Sequence, residues 1–372
     1  MATATDLKQT PFYDYHVQHG GKLVEYSGWA MPLHYGSIIE EHHQTRRSGG
    51  LFDVSHMGRL RFDGTDAVRF LDTMVTRNVH DMQVGQARYA IVCNEHGGCL
   101  DDVLVYRLSD TKCMVVCNAA NRAKIVAHVE AIRGDMSFTM KDDTESTAMI
   151  ALQGPAVMAL LSAFSTSIGE LKRYRFIEKK VLLASVMISR TGYTGEDGVE
   201  VILPKMLARK AMQMMLANLD SEVPEIQPCG LGSRDSLRLE AGMALYGHEI
   251  DETIDPISAG LNFALNLDKP GGFIGQAALQ KIAASGPVRT LVGLTLDTRR
   301  AARQGMAVKG GDTVVGTVTS GCLSPTLDAS IAMALVDTAH AQSGATLGVD
   351  LGRSTVDATV GALPFPWREA KG

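Results

Sequence analysis

The chain has 372 residues, of which 45% are hydrophobic and 21% are charged, and its formal net charge is −5. These values indicate an ordinary folded protein of two or three domains. The sequence has no basic stripe for a nucleic acid and no apolar run near the roughly 20 residues of a membrane helix. We therefore expect neither a nucleic-acid nor a membrane partner. The N-terminal sequence resembles no secretory or transit signal, which predicts a cytoplasmic protein.

The cysteine and histidine residues suggest no metal site. Cys113 and Cys117 lie four residues apart in a predicted strand, and such a span is about 13 Å, too long for two ligands of one ion. His42 and His43 are neighbours on a predicted helix, Ser37–Arg47, where adjacent side chains diverge by about 100°. We predict reduced, mostly buried thiols and a solvated helix face at the two histidines.

The segment Leu51–Phe62 reads as one strand with a polar insertion at Ser55 and His56. No G-x-S-x-G elbow surrounds the serine, which argues against a Ser-His hydrolase. A helix capped by its first residue is predicted over Thr65–Asp72. Further along, Asn121 is placed to cap a helix that runs to about residue 133.

A hairpin is predicted between these two helices, with apolar strands on either side of the turn Asn94–Gly98. Asp101 and Asp102 open its second strand, and their side chains must point to opposite faces. Because Asp102 shares its face with Leu104 and Tyr106, we predict that it lies on the more apolar face. A carboxylate there is costly unless it is hydrogen-bonded, protonated or used by a ligand. Turn chemistry is the alternative for both aspartates.

A glycine-rich segment, Arg190–Val201, follows a predicted strand at Val181–Ser189. Its glycines are spaced by three, which matches neither a Walker loop nor a dinucleotide fingerprint. Its carboxylates would repel a phosphate and instead suit a ligand rich in N–H donors. A wide hairpin loop is the alternative. The three carboxylates are Glu196, Asp197 and Glu200.

Two predicted helices follow, Met206–Leu219 and Gly232–Ala241, and the second carries Arg234 and Arg238 on one face. Two arginines in this arrangement could bind ligand carboxylates bidentately. Local pairing with neighbouring acids, Asp235 or Glu240, is the alternative.

From about Leu291 the pattern changes to short alternating strands separated by glycine and proline turns, with no convincing helix. This pattern predicts a separate all-β module, a small barrel. The segment Asp268–Ala283 would connect it to the rest of the chain.

Seven segments, in order along the chain, together resemble the aminomethyltransferase family of the glycine cleavage system, the T-proteins. They are G-W-A-M-P-L-H-Y-G-S (Gly28–Ser37), F-D-V-S-H-M (Phe52–Met57), G-G-C-L-D-D-V-L-V-Y (Gly97–Tyr106), A-L-Q-G-P (Ala151–Pro155), T-G-Y-T-G-E-D-G-V-E (Thr191–Glu200), C-G-L-G-S-R-D-S-L-R-L-E-A-G-M (Cys229–Met243) and T-S-G-C-L-S-P (Thr319–Pro325). The resemblance implies an α+β fold of three domains in a ring around a central folate channel, with a C-terminal all-β barrel-like domain. Its implied boundaries are residues 1–50 with 140–268 for folate binding, 51–139 for the hairpin domain and 285–372 for the barrel.

The implied reaction moves a methylene group from an aminomethylated lipoyl arm, carried by the H-protein, to tetrahydrofolate. Ammonia is released, and the products are methylenetetrahydrofolate and the dihydrolipoyl H-protein. No metal is implied. Another tetrahydrofolate-dependent demethylase of the same fold is the alternative. A folate-binding assembly factor is a third hypothesis, but the cysteine of that group's motif is absent from Lys269–Gln276.

The resemblance also implies site residues by motif position. The essential aspartate matches Asp102, the pterin-binding glutamate matches Glu200, and the folate-contacting arginine matches Arg234. A carboxylate could stabilise a cationic, iminium-like carbon and orient the attacking nitrogen, or it could carry a proton. The other positions that line the folate pocket match Met57, Tyr89, Asn118 and Tyr193. Trp367 stands near the family's terminal aromatic segment and is left outside this set.

Overall fold

A computed structural model describes residues 7–181, 184–215 and 226–371. The chain falls into two compact units. The first draws on Met1–Phe70, Val79–Arg88 and Val103–Asp235, and the second on Leu71–Asn78, Tyr89–Asp102 and Ser236–Gly372. The backbone therefore passes from one unit to the other several times.

The α-helices of the described residues are short. In chain order they are α1 (Tyr13–Gln18), α2 (Ile38–Arg47), α3 (Ala67–Met74), α4 (Arg122–Ile132), α5 (Val157–Phe164), α6 (Thr166–Gly169), α7 (Ala208–Met215), α8 (Leu231–Glu240) and α9 (Gln276–Ser285). None of them is long and apolar enough to cross a membrane.

The strands of the described residues form several sheets. In chain order they are β1 (Lys8–Gln9), β2 (Lys22–Tyr26), β3 (Trp29–His34), β4 (Gly50–Asp53), β5 (Gly58–Asp63), β6 (Ala87–Cys93), β7 (Cys99–Arg107), β8 (Lys112–Cys117), β9 (Thr139–Asp142), β10 (Thr147–Gln153), β11 (Phe176–Val181), β12 (Ala184–Ser189), β13 (Gly198–Pro204), β14 (Gln227–Cys229), β15 (Arg289–Leu296), β16 (Ala307–Gly310), β17 (Thr313–Ser324), β18 (Ala329–Asp337), β19 (Thr346–Asp350) and β20 (Thr355–Gly361).

The first unit is built on sheets with helices packed against them. A six-stranded sheet has the order β11-β12-β13-β10-β4-β14, and a small sheet has the order β1-β3-β2. Strand β10 lies near the middle of the larger sheet and pairs antiparallel with both β13 and β4. Its apolar residues join those of its neighbours in one buried cluster, which includes Leu51, Ile150, Leu152, Val199 and Val201. Burial of this cluster accounts for the β-branched run in these central strands.

A five-stranded sheet with the order β6-β7-β8-β5-β9 contains two of the places where the chain changes units. The first lies in β6, between Arg88 and Tyr89, and the second lies in β7, between Asp102 and Val103. The predicted hairpin is confirmed, since β6 ends at Cys93 and β7 begins at Cys99.

The second unit contains a closed barrel with the order β15-β18-β17-β16-β19-β20. Its interior is filled by small and branched side chains, among them Leu294, Val318, Ala334 and Val349. Leu239 from the end of α8 packs in a separate buried cluster with residues of the barrel strands. The predicted α+β fold with a C-terminal all-β barrel is therefore confirmed.

Several local predictions need correction. The segment Leu51–Phe62 is not one strand, because β4 and β5 belong to different sheets and the residues between them form a turn. The connector Asp268–Ala283 contains most of the helix α9, which the sequence analysis missed. Asn121 precedes α4 but its side chain makes no capping hydrogen bond.

Helix α2 begins as predicted, with the hydroxyl of Ser37 accepting a hydrogen bond from the Glu40 amide. The solvated face expected at His42 is wrong, because His42 is fully buried. Residues 182 and 183 of the predicted strand Val181–Ser189, and residues 216–219 of the helix Met206–Leu219, lie outside the described residues.

The six cysteines are free thiols, as predicted, and all except Cys322 are buried. In the described part of the chain no group of three or more His, Cys, Asp or Glu side chains is arranged to hold a metal ion.

Candidate functional site

The turn that leads to the two aspartates is fixed by side-chain and backbone contacts. The Asn94 side-chain oxygen accepts hydrogen bonds from the amides of His96 and Gly98, at 2.9 and 3.0 Å. Gly97 has a φ of +88°, which favours glycine. A Cβ atom on Gly98 would lie 1.9 Å from the carbonyl oxygen of Glu252. Only glycine permits this close approach of two backbones.

The two aspartates differ in burial, and the difference contradicts the face argument from the sequence. Along β7 the buried positions from Cys99 to Val105 are the odd-numbered ones, so Asp101 is 0% exposed while Asp102 is half-buried. The expectation that Asp102 occupies the apolar, buried face is therefore wrong. The number of apolar residues on the two faces was similar, and the packing of other segments decides which face is covered.

Asp102 is held by an aromatic hydroxyl. The Tyr89 Oη atom on β6 donates a hydrogen bond to Oδ2 of Asp102 at 3.0 Å. The Tyr89 ring stacks on that of Phe263, with ring centroids 5.7 Å apart and planes inclined by 22°. The arrangement leaves Asp102 near a flat aromatic surface within the second unit.

Glu200 lies in β13 of the first unit and is 4% exposed. Its Oε2 atom accepts a hydrogen bond of 2.5 Å from the Thr191 hydroxyl. Burial raises the pKa of Glu200 above its ordinary value, although the Thr191 hydrogen bond and the charge of Arg234 partly oppose this shift. A carboxylate at such a position can accept N–H groups from a ligand.

The other two carboxylates of the glycine-rich segment are already paired. Glu196 forms a buried ion pair with Arg46, with Oε1 and Nη1 2.9 Å apart. Asp197 accepts from Arg190, whose Nε lies 3.0 Å from Oδ1. The picture of three carboxylates facing one ligand is therefore wrong, and Glu200 alone of the three is not ion-paired among the described residues.

The glycine-rich segment is also fitted closely to β10. A Cβ atom on Gly192 would lie 1.8 Å from Oε1 of Gln153. The same oxygen accepts a 3.0 Å hydrogen bond from the Thr194 hydroxyl, and the Gln153 amide nitrogen donates to the Thr191 carbonyl at 3.2 Å. These contacts fix the loop that carries Tyr193.

Arg234, on α8, has an unused hydrogen-bond donor. Its guanidinium lies 4.9 Å from the centre of the Tyr193 ring, a cation–π contact. Its Nη1 atom is buried without a hydrogen-bond partner in the described parts of the chain. Burial lowers the pKa of Arg234, and the charge of Glu200 opposes that shift. An unpaired buried donor is costly, so the site favours a ligand acceptor.

Arg238, four residues further along α8, has a different environment. It is buried, and it contacts Glu249 at 2.8 Å and the Ser320 hydroxyl at 2.7 Å. Arg238 is a structural residue of the second unit rather than a ligand-binding partner of Arg234.

His56 is a residue of this region that the sequence analysis did not assign. It is 6% exposed, and its ring meets that of Tyr26 edge-on at 5.5 Å. Its Nδ1 atom is buried without a hydrogen-bond partner among the described residues. Burial lowers the pKa of His56 to about 4, the charge of Asp53 opposes the shift, and that of Arg234 adds to it. In the sequence, the one feature that could have identified His56 as a site residue is its position in the F-D-V-S-H-M segment.

Ser55, which precedes it, is not a nucleophile. Its hydroxyl donates to the Met149 carbonyl and accepts from the Met149 amide, both at 3.0 Å. These bonds tie the turn after β4 to β10. Ser55 thus has a structural role, and the expected absence of a Ser-His hydrolase site at this position agrees with it.

The predicted site residues form two groups. In the first unit, Arg234 contacts the ring of Tyr193 and is coupled electrostatically to Glu200. In the second unit, Tyr89 is hydrogen-bonded to Asp102. Two further predicted residues lie in the first unit, where they are partly exposed at strand ends. They are Met57, just before β5, and Asn118, just after β8.

Comparisons with known proteins cover nearly the whole chain. The GCVT N-terminal domain profile matches residues 12–269, and the glycine cleavage T-protein C-terminal barrel domain profile matches residues 289–366. An aminomethyltransferase of Saccharopolyspora erythraea is 42% identical over 365 residues, which cover 98% of this chain and 99% of that protein. One from Rubrobacter xylanophilus is 45% identical over 331 residues, covering 89% and 87%. The crystal structure of glycine cleavage system aminomethyltransferase T from Bartonella henselae superposes with a TM-score of 0.90 at 34% identity, covering 96% of this chain and 98% of that one.

Proposed function

The chain belongs to the glycine cleavage T-protein family and is an aminomethyltransferase of that system. On this basis we propose which of its residues bind tetrahydrofolate and which act at the reacting carbon. The substrate carbon arrives as an aminomethyl group on the lipoyl sulfur of the H-protein. It loses its bonds to nitrogen and sulfur and forms two bonds to ring and side-chain nitrogens of tetrahydrofolate. The two protons from those nitrogens leave with ammonia and with the lipoyl thiol, so the reaction needs no oxidant.

Glu200 and Arg234 are proposed to bind tetrahydrofolate. The observation that carries this proposal is a buried acid near an arginine whose Nη1 atom is buried without a hydrogen-bond partner, with no ion pair joining the two residues in the described chain. The ionised Glu200 would accept N–H groups of the pterin edge, and Arg234 would bind an acceptor or anionic group of the folate. Tyr193, which lies under the Arg234 guanidinium, would hold that guanidinium in place.

Asp102 is proposed to act at the reacting carbon. Loss of ammonia or thiol from the aminomethyl group develops positive charge on the carbon, and a fixed carboxylate stabilises such charge. The Tyr89 hydroxyl donates to Oδ2 of this carboxylate at 3.0 Å and so fixes its orientation. Met57, Asn118 and Tyr193, which all lie in the first unit, are proposed to contact tetrahydrofolate.

The activity test uses the purified protein, aminomethyl-loaded H-protein and tetrahydrofolate. Ammonia and methylenetetrahydrofolate are measured against time, and we expect both to appear in equal amounts. Omission of either substrate is the control. Ammonia release that does not depend on tetrahydrofolate would contradict the proposed reaction.

The Asp102→Asn variant tests the choice between the two aspartates. We expect turnover to fall by at least about 100-fold while tetrahydrofolate affinity stays within about threefold. Asp101→Asn is the matched control, because Asp101 is buried and its change should lower thermal stability more than turnover of the folded protein. If Asp101→Asn stops turnover and Asp102→Asn does not, the assignment is reversed.

A further inference from the structure

Phe263 is a large apolar side chain in an exposed position. It is 62% exposed, although its neighbours Leu261 and Ala264 are buried. Full burial of a phenylalanine contributes about 1.5–3 kcal/mol, so the exposed position gives up part of that stabilisation. The exposed ring is not at a frayed end, since it lies in a 3-10 turn, Asn262–Ala264, in the middle of the second unit.

The backbone of this turn is fixed to the strand that carries Tyr89. The Thr76 hydroxyl donates to the Ala264 carbonyl at 2.7 Å and accepts from the Ile91 amide at 3.0 Å. The Thr76 amide also donates to the Ile91 carbonyl at 2.9 Å. Thr76 is fully buried, so these bonds are protected from water. Because Ile91 lies two residues after Tyr89 on β6, Thr76 sets the distance between the backbones that carry the two rings.

The two rings and the carboxylate form a chain of contacts. The Phe263 ring stacks on the Tyr89 ring, and the Tyr89 hydroxyl donates to Asp102. An offset-stacked pair is worth about 0.5–1.5 kcal/mol beyond its buried area, enough to bias the side-chain rotamer of Tyr89. Removal of the Phe263 ring would remove this stacking contact and would let the Tyr89 hydroxyl move from Asp102.

We propose that Phe263 is a positioning residue of this enzyme, which holds Tyr89 in the rotamer that orients the Asp102 carboxylate. This inference rests on the proposed role of Asp102. It assigns a function to an exposed ring that lies 161 residues away in sequence from that aspartate. The ring does not touch the reacting atoms, and its effect passes through Tyr89.

The test is a double-mutant cycle with Phe263→Ala, Tyr89→Phe and the double variant, measured by ammonia release. We expect each single change to lower kcat by about 5- to 20-fold, with the tetrahydrofolate dissociation constant unchanged by Phe263→Ala. The double variant should be no slower than Tyr89→Phe alone, because residues that act through one contact are not additive. Phe263→Trp, which keeps a flat ring, should recover most of the turnover, whereas Phe263→Leu should not.

Val288→Ala is the matched control, since this side chain is also strongly exposed in the second unit and should not affect turnover. Full turnover of Phe263→Ala, or a loss that adds in full to that of Tyr89→Phe, would overturn the inference. Absence of folate-dependent ammonia release in the unmodified protein would instead count against the proposed reaction. Equal thermal midpoints would show that the variants fold alike.

Discussion

The guanidinium of Arg234 lies 4.9 Å from the ring centre of Tyr193 and keeps a buried Nη1 atom without a partner among the described residues. This relationship distinguishes Arg234 from an ordinary surface arginine. The cation–π contact with the ring holds the guanidinium in place, and the Nη1 donor remains for a ligand. A lysine would keep the charge but lose both the stacking and the fork of donors.

We therefore expect Arg234→Lys to raise the dissociation constant for tetrahydrofolate by about 10-fold or more, since a hydrogen bond to a charged group is worth about 1.5–3 kcal/mol. Titration calorimetry would measure it. Arg238→Lys is the contrast on the same helix. It disturbs a buried ion pair with Glu249, so it should lower the free energy of unfolding by up to about 3–5 kcal/mol and leave the affinity of the folded protein unchanged. Equal folate affinities in both variants would contradict the assignment.

Glu200 should make folate binding pH-dependent. Burial raises the pKa of its carboxyl, and only the ionised form can accept two N–H groups of a ligand. Affinity should thus be full when the pH is above this raised pKa and should fall as the pH drops through it. Glu200→Gln should bind about 10-fold more weakly at neutral pH and lose this pH dependence. A pH dependence that survives in Glu200→Gln would assign the titration to another group.

A buried hydrogen-bond network of Asp53, His16 and Tyr35 in the first unit should determine the stability of the protein at acidic pH. The His16 Nε2 atom lies 2.9 Å from Asp53 Oδ2, and the Tyr35 hydroxyl lies 2.6 Å from His16 Nδ1. Burial would raise the pKa of Asp53, but the hydrogen bond and charge of His16, with Ser55, lower it below its ordinary value. The lowered pKa of Asp53 stabilises the folded protein when the pH is above the pKa of an aspartate in the unfolded chain, about 3.9. This stabilisation is lost as the pH falls through the pKa of Asp53 in the folded protein.

We expect His16→Ala to move the acid unfolding transition to higher pH, because Asp53 would then be buried without its main partner. Circular dichroism between pH 7 and pH 2 would measure the shift. Lys8→Ala, which removes an exposed ion pair with Glu145, should leave the transition in place. An unchanged transition in His16→Ala would show that other carboxylates control acid unfolding.

Gly98→Ala should disturb the hairpin that carries Asp102. The added Cβ would meet the Glu252 carbonyl at 1.9 Å, so one of the two backbones must move, at a cost of about 1–3 kcal/mol. We expect a lower thermal midpoint and a lower kcat in the folded fraction. Gly361→Ala, whose Cβ would meet no atom within 4 Å, is the matched control and should change neither.

The local elements were the most predictable part of this chain. The hairpin around Asn94–Gly98 and the start of α2 at Ser37 follow from turn and capping chemistry within a few residues. The burial of Asp101 and His42 was predicted wrongly, because it depends on segments that pack against these elements from elsewhere in the sequence. Strand and helix faces of similar composition give no local signal for such packing.

The residues of the candidate site could be listed from the sequence by motif position. The ion pairs and hydrogen bonds that connect the surrounding residues could not. The partner of Glu196 is Arg46, which lies 150 residues away in sequence, and no local pattern joins them. The same holds for the hydrogen bond that the Thr76 hydroxyl donates to the Ala264 carbonyl. Phe263 carried no motif at all, and only the stacked geometry connects it to the aspartate.

The free thiols provide a built-in reporter of local opening. Cys93 and Cys99 flank the hairpin turn that precedes Asp102 in the second unit, whereas Cys113, Cys117 and Cys229 are enclosed in the first. A thiol reagent can reach these sulfur atoms only when the surrounding segment opens, so labelling rates report opening free energies. Mass spectrometry of labelled peptides would therefore rank the two units by their local stability without any engineered probe. The half-exposed Cys322 would give the fast reference rate in the same sample.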